Sequence, residues 1–342
     1  MKNLVLVLLI FVSLTACFKK EDAIDLPSGN TIITSCFLGN NYEKQMYFDL
    51  STNTFQEHQL ADWDLSFQST KFGFGIFRNS GYNINVRKIN IFNLDEPKAN
   101  DTNYILQQKL FNDDPNGKIE SSAFGDWRNY FIKHQTTGVV TTGIYVIELS
   151  YLSGMERFRK MQILGYNDSV YAIRITKLNE TNAPLIEIRK DYNQNFTYYS
   201  FKNNGSIIQN AEPNKNSWDF VITQYRYTFY KNTPAELPNY PVRGVLNNPN
   251  NIEVYRDSAV TEFDSISSNF IQNRLFSKNR DAIGFDWKDI DYSSGANLYK
   301  VNSKITYIVK DTDGYYYKLR FLDFYNDNRQ KGYPKFEYIR IK

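Results

Sequence analysis

A Trp-Asp pair inside an alternating apolar run occurs twice, as ADWDLSF at residues 61–67 and as NSWDFVI at residues 216–222, in a chain with four tryptophans. Such a recurrence constrains the fold strongly, because each copy of a repeat must form the same supersecondary unit. Trp63 and Trp218 stand 155 residues apart. MYFDLSTNTFQ (46–56) precedes the first and TYYSFKNNGSIIQ (197–209) the second, each reading as an aromatic strand, a polar turn and another short strand. The other two tryptophans also match. FGDWRNY (124–130) resembles GFDWKDI (284–290), which sets Trp127 and Trp287 160 residues apart. Further on, LGYNDSVYAIRITKLNETNAPLIEIR (164–189) lies beside VKDTDGYYYKLRFLDFYNDNRQKGYPKFEYIR (309–340). This alignment sets Tyr171-Ala-Ile-Arg174 against Tyr317-Lys-Leu-Arg320 and Glu187 against Glu337.

These segments alternate with period two, the spacing of a strand with one face on a core. Over Tyr315–Phe324 the alternation places Tyr317, Leu319 and Phe321 on the core face, and Phe324 on the opposite, partly wet one. In the Trp-Asp strands, Trp63 falls with Leu65 and Phe67, and Trp218 with Phe220 and Ile222. Each aspartate points away, where it can accept turn N–H groups or meet an arginine. Trp63, Trp127, Trp218 and Trp287 are therefore expected as structural anchors. With 26 Tyr and 25 Phe, residues suited to a pleated half-buried surface, the expected class is all-β, in two tandem, mostly antiparallel domains.

The N-terminus gives an address. MKNLVLVLLIFVSLTAC has one lysine, a short apolar run and small residues before a cysteine, the layout of an export signal and too short to span a bilayer. Its Leu-Thr-Ala-Cys ending resembles the bacterial lipobox, so cleavage after residue 16 and lipidation of Cys17 are expected. Residues 17–35 would then be the lipidated cysteine and a tether. Acyl chains give stable membrane anchoring, on an outer membrane and its cell-surface face. Cys36 is the only other cysteine, which excludes an internal disulfide in the mature fold and leaves a buried, inert thiol. Of the 40 basic side chains the signal removes Lys2, leaving 39 against 37 acidic ones. That balance argues against nucleic acid as a partner. With two histidines, His58 and His134, and no nucleophile elbow, P-loop or zincin motif, the chain does not read as an enzyme.

Residues from about 195 to the end resemble the HmuY family of bacterial haem-binding lipoproteins. The resemblance rests on FTYYSFKNNGSIIQNAEPNKNSWDFVITQYRY (196–227) and on KITYIVKDTDGYYYKLRFLDFYNDNRQKGYPKFEYIR (304–340). The latter holds a strand, a D-G turn, a lysine-led alternating strand, a K-G turn and a last aromatic strand. Residues 40–190 resemble the same domain more faintly, which sets HmuY-like domains at 36–192 and 193–342. The resemblance implies haem as ligand, captured outside the cell and delivered to a TonB-dependent receptor. The family's histidine ligands, however, fall here at Val254-Tyr255 and at Tyr292, seven residues before Tyr299 of Leu298-Tyr299-Lys300. Tyr292 and Tyr255 are thus the candidate iron ligands, since tyrosine also ligates ferric haem. His134, seven residues after Trp127, lies in the equivalent region of the first unit, and His58 is expected to be solvated. Arg243 and Lys300 are candidates to meet the propionates. The alternative is a surface lipoprotein of the same fold that binds another ligand or a partner protein without haem.

Overall fold

The structure, a computed structural model, describes residues 29–96, 102, 115–133, 140–227, 229, 240–257, 261–292 and 298–341. The signal, Cys17 and His134 lie outside the described residues. Among the described residues, twenty-two strands follow in order. The first six are β1 (Ile32–Ser35), β2 (Lys44–Asp49), β3 (Thr54–Gln59), β4 (Leu65–Gln68), β5 (Ile76–Arg78) and β6 (Ile84–Ile89). Next come β7 (Ile132–Lys133), β8 (Val140–Thr141), β9 (Ile144–Leu149), β10 (Phe158–Tyr166), β11 (Val170–Lys177) and β12 (Leu185–Arg189). Then follow β13 (Phe196–Ser200), β14 (Ser206–Ile208), β15 (Phe220–Tyr227), β16 (Tyr240–Asn247) and β17 (Glu253–Asp257). The last are β18 (Lys288–Asp291), β19 (Leu298–Val301), β20 (Thr306–Lys310), β21 (Tyr316–Tyr325) and β22 (Lys331–Arg340). Among the described residues there is no α-helix, only short 3-10 turns.

Eighteen of these strands form two pairs of facing sheets, and β18 with β19 and β7 with β8 form two-stranded sheets. In one unit, the five-stranded sheet β17-β20-β21-β22-β1 covers the four-stranded sheet β16-β15-β2-β3. Phe48, Phe220, Tyr307, Phe321, Phe336 and Tyr338 lie in the core between them. In the other, β6-β9-β10-β11-β12 covers β5-β4-β13-β14, around Leu65, Phe67, Tyr145, Met161, Tyr171 and Ile173. The strand pairings within these sheets are antiparallel among the described residues. The class is all-β, in two antiparallel units.

The chain path through them differs from two consecutive domains. The second core draws on residues 65–207 and the first on residues 36–55 together with 220–338. The boundary expected at 192/193 therefore falls inside a unit, since β12 before it and β13 and β14 after it complete sheets with β11 and β4. In reciprocal fashion, β1 joins β22 and β2 joins β15. The opening strands of each sequence copy thus finish the sheets built by the other. Sheet order also makes β10 and β11 the counterparts of β21 and β22, one strand away from the alignment of Tyr171 with Tyr317. Period-two aromatic strands resemble one another whichever neighbour they are laid against, so sequence likeness slipped by one strand.

The two Trp-Asp pairs mark where the chain crosses from one unit to the other. Asp64 accepts the Phe201 N–H at 2.6 Å, and Asp219 accepts the Leu50 N–H at 2.7 Å. Their own N–H groups donate to Tyr199 O and Phe48 O. Asn79 spans the Leu60 and Trp63 carbonyls, as Asn248 spans those of Lys215 and Trp218. The indoles meet tyrosines edge-on, Trp63 with Tyr198 at 5.0 Å and Trp218 with Tyr47 at 4.8 Å. Both tryptophans lie outside the main cores, on the outer faces of the two four-stranded sheets. Their expected placement beside Leu65 and Phe220 is thus corrected. Strands β4 and β15 begin two residues after each tryptophan, so the alternation does not extend back to it.

Alternation is also broken inside β21. A register shift between Phe321 and Asp323 inserts an extra residue, as a bulge does, and turns Phe324 into the core it was expected to face away from. Cys36 is buried in the same core, where burial pushes its thiol pKa up. The units also touch at Gly81, where a Cβ would stand 2.1 Å from the backbone oxygen of Gln224. Gly81→Ala is expected to cost about 1–3 kcal/mol, as overpacking does, and to lower the thermal midpoint. An unchanged midpoint would show that the two units are not in contact there.

Candidate ligand-binding cleft

Trp287 is the residue from which the cleft is built. It is buried and stacks on Phe321 with ring centroids 3.9 Å apart, which fixes the stretch leading into the β18–β19 hairpin. Just before it, Gly284 runs against β16, and its carbonyl accepts the Val245 N–H at 2.9 Å. The neighbouring Gly244 has no room for a side chain, since a Cβ there would lie 2.6 Å from Gly284 O. The hairpin therefore stands away from the edge strand β16 and leaves a cleft between them.

One recess of this cleft, about 290 Å³, is lined by Tyr240, Arg243, Phe285, Lys288, Tyr292 and Tyr299 among others. A second, about 700 Å³, shares Tyr240, Ile290, Tyr292 and Tyr299 and continues to Tyr325, Arg329 and Lys331. Together they lie within the usual size range of small-molecule sites. Tyr292 is 71% exposed and stands at the rim, with Leu298 (48%) and Tyr240 (38%) also open to solvent. Tyr299 is held from behind: its N–H donates to the Tyr325 hydroxyl at 2.8 Å, and its ring packs on Phe324.

The charge around the cleft is mainly positive. Arg243 lies 4.2 Å from the ring centroid of Tyr42 and donates to Pro241 O. Lys288 is buried, and its ammonium donates to the carbonyls of Arg243 and Phe285. It sits over the rings of Trp287 (3.9 Å), Phe324 (4.9 Å) and Tyr299 (5.6 Å). Burial, with Arg243 adding to it, pushes its pKa down to about 7, while Asp286 and Asp289 pull the other way. Of the lining residues, Asp289 alone carries a carboxylate, against Arg243, Lys288, Arg329 and Lys331. Such a surface suits a planar aromatic ligand bearing anionic groups.

The sequence candidates divide. Tyr292 and Arg243 line the cleft. Tyr255 does not: it lies on β17 with its ring against Phe270 and Phe276 and the Arg274 guanidinium 5.5 Å away. Lys300 also stands apart, exposed on β19 opposite Asp289 in the ladder, and Lys288 supplies the cleft's lysine instead. Sequence reasoning missed Lys288, because period two after a buried Trp287 sends the next side chain to solvent, whereas this stem folds back over the indole. His58 is half-buried, edge-on to Tyr47 at 5.2 Å, and burial lowers its pKa, so the expectation of a solvated imidazole is corrected. Among the described residues, no cluster of three or more His, Cys, Asp or Glu could hold a metal ion.

The fold and the cleft define the class, an antiparallel β protein with an open, tyrosine-rich, basic groove. Residues 191–338 match the model of the HmuY protein family. The match begins just after β12 and includes the cleft residues from Tyr240 to Lys331. Among solved structures, the chain is similar to apo PinO from Porphyromonas gingivitis at 9% identity, covering 92% of this chain and 98% of that one, with a TM-score of 0.34. It is also similar to the apo HmuY analog of Tannerella forsythia at 14% identity, covering 93% and 99%, with a TM-score of 0.28. A putative HmuY-like heme binding protein from Bacteroides vulgatus gives 8% identity, 90% coverage of each chain and a TM-score of 0.25. No curated protein matches the chain.

Proposed function

We propose that this protein is an extracytoplasmic haem-binding lipoprotein that captures ferric haem as cargo in the cleft between β16 and the β18–β19 hairpin. The observation that carries this is Tyr292, exposed above a recess walled by Tyr240 and Tyr299 and floored by Arg243 and Lys288. The donor set fits ferric haem without histidine: a phenolate oxygen is a hard anionic ligand for ferric iron, as in catalase. Tyrosine rings offer faces for the macrocycle, and Arg243 is placed to meet a propionate. The family match over 191–338 supports the same reading. Residues 1–16 would be the export signal and Cys17 the lipid attachment point, anchoring the protein on the outer membrane, where a TonB-dependent receptor would collect the haem. The role is binding, with no reaction catalysed.

Titrating the soluble chain 18–342 with haemin tests this. The expected result is saturable binding with a shifted Soret band and a tyrosinate-to-iron charge-transfer band. Tyr292→Phe should abolish the charge-transfer band and weaken binding about tenfold, roughly 1.4 kcal/mol, while His134→Ala and Tyr255→Phe leave both unchanged. A spectrum identical to free haemin would overturn haem capture and favour the second reading. In that reading the exposed Tyr240, Tyr292 and Leu298 form a contact surface for another ligand or a partner protein, a use to which tyrosine is well suited.

A further inference from the structure

The floor of the cleft holds an amine whose nucleophilicity haem capture leaves unused. Lys288 is 6% exposed, lies among Trp287, Tyr299 and Phe324, and has Arg243 as its neighbour. No carboxylate of the described residues comes within ion-pairing distance of it, and among those residues its ammonium donates to the backbone carbonyls of Arg243 and Phe285. Structural lysines elsewhere in this fold are held differently. Lys190 donates to three carbonyls, of Thr70, Lys71 and Gly73, and borders none of the cavities described here. Lys288 by contrast lines a recess open to solvent. A desolvated lysine beside another cation is the arrangement that makes an amine nucleophilic near neutral pH.

The geometry points to Lys288 as a carbonyl-capturing amine that forms a reversible imine with an aromatic aldehyde bearing an anionic group. The rings of Tyr240 and Tyr299 would hold the aromatic part, and Arg243 would meet the anion. In the step itself Lys288 first gives its extra proton to solvent, and the nitrogen lone pair then adds to the carbonyl carbon. The C=O π electrons pass to oxygen, which takes a proton. Nitrogen gives up one of its two protons to leave the neutral carbinolamine. The hydroxyl of that species takes a second proton from solvent and departs as water, and nitrogen then loses its last proton as a C=N bond replaces C=O. No oxidant or reductant is needed, and water reverses the step. The low pKa of Lys288, about 7 against 10.5 for an ordinary lysine, leaves much of it neutral at pH 7.5. The inference stands on the cleft and not on haem, because haemin spectra and amine labelling read different groups.

The probe is pyridoxal 5′-phosphate, with borohydride reduction and peptide mass mapping of the mature chain. Lys288 is expected to be tagged several hundredfold faster than the surface lysines at pH 7.5, on the order of the ratio of their neutral fractions. Its rate should rise through pH 7 and then level off. Lys288→Arg should lose the fast tag while keeping its circular dichroism spectrum. Arg243→Gln should slow capture of the phosphorylated aldehyde but not of benzaldehyde. Tagging of Lys288 no faster than that of the other lysines in the native protein would overturn the proposal, and that measurement needs no variant to fold. Equal slowing of both aldehydes by Arg243→Gln would overturn the anionic part of the ligand class.

Discussion

A fragment of residues 62–212 is expected to fold on its own, and one of residues 193–342 is not. The second core is drawn from residues 65–207 and is complete in the first fragment. The second fragment holds the family-matched segment yet lacks β1, β2 and β3. Its four-stranded sheet is reduced to β15 and β16, because β2 is the partner of β15 on the other side. Also missing are Leu38, Tyr42, Met46, Phe48 and Leu50, all buried in the first core. At about 2 kcal/mol for each large buried side chain, their loss removes on the order of 10 kcal/mol, comparable to the whole stability of a typical domain. Asp219 would also lose the Leu50 N–H that it accepts. The expected measurements are a cooperative thermal melt with near-ultraviolet circular dichroism for 62–212, and neither for 193–342 until residues 29–62 are added in trans. A cooperative melt of 193–342 alone would show that the interleaving of the two units is not what holds them.

Asp219 gives the second large effect, on pH. Burial raises its carboxyl pKa to about 8; the Leu50 N–H opposes this, and Asp311, Asp49 and Asp313 add to it. The folded state therefore holds this proton more tightly than the unfolded chain, in which an aspartate titrates near 3.8. Its contribution is fully present below that value. Stability then declines by about 1.4 kcal/mol per pH unit as pH rises toward 8, and levels off above. Glu212, buried beneath Tyr198 and raised to about 7 mainly by burial, adds in the same direction between 4.5 and 7. Asp219→Asn keeps an oxygen for the Leu50 N–H and removes the titration. Denaturant unfolding at pH 5 and pH 8 should show the variant losing less stability than the parent, by a few kcal/mol. Parallel losses would mean that Asp219 does not carry the raised pKa.

Much of the strand content was legible because period two is a local property. Tyr317, Leu319 and Phe321 face the core as their alternation requires, and the all-β class follows from many such runs. The repeat was legible too, through the tryptophans. What local pattern could not supply was partnership. Strands β11 and β21 look alike in sequence and occupy different places in their sheets. The bulge after Phe321 reverses Phe324 without any signal in its composition. At the cleft, Tyr292 was found through the family's spacing and Arg243 through nearness in sequence. Tyr255 was misplaced, because β17 turns its ring toward Phe270 and Phe276. Lys288 stayed hidden because a lysine after a tryptophan reads as a solvated residue, and only the surrounding rings show that it is desolvated.

The Trp-Asp phrases divide the two kinds of knowledge. By itself the sequence determined that there are two copies of one β unit, that their strands alternate, and that Trp63 and Trp218 hold equivalent positions. Only the tertiary structure decided that these are the points where the chain changes units, and that each unit is finished by strands from the other copy. The reason is physical: alternation fixes which face of a strand is apolar, but strand order is settled by non-local hydrogen bonds and by which apolar faces finally cover one another.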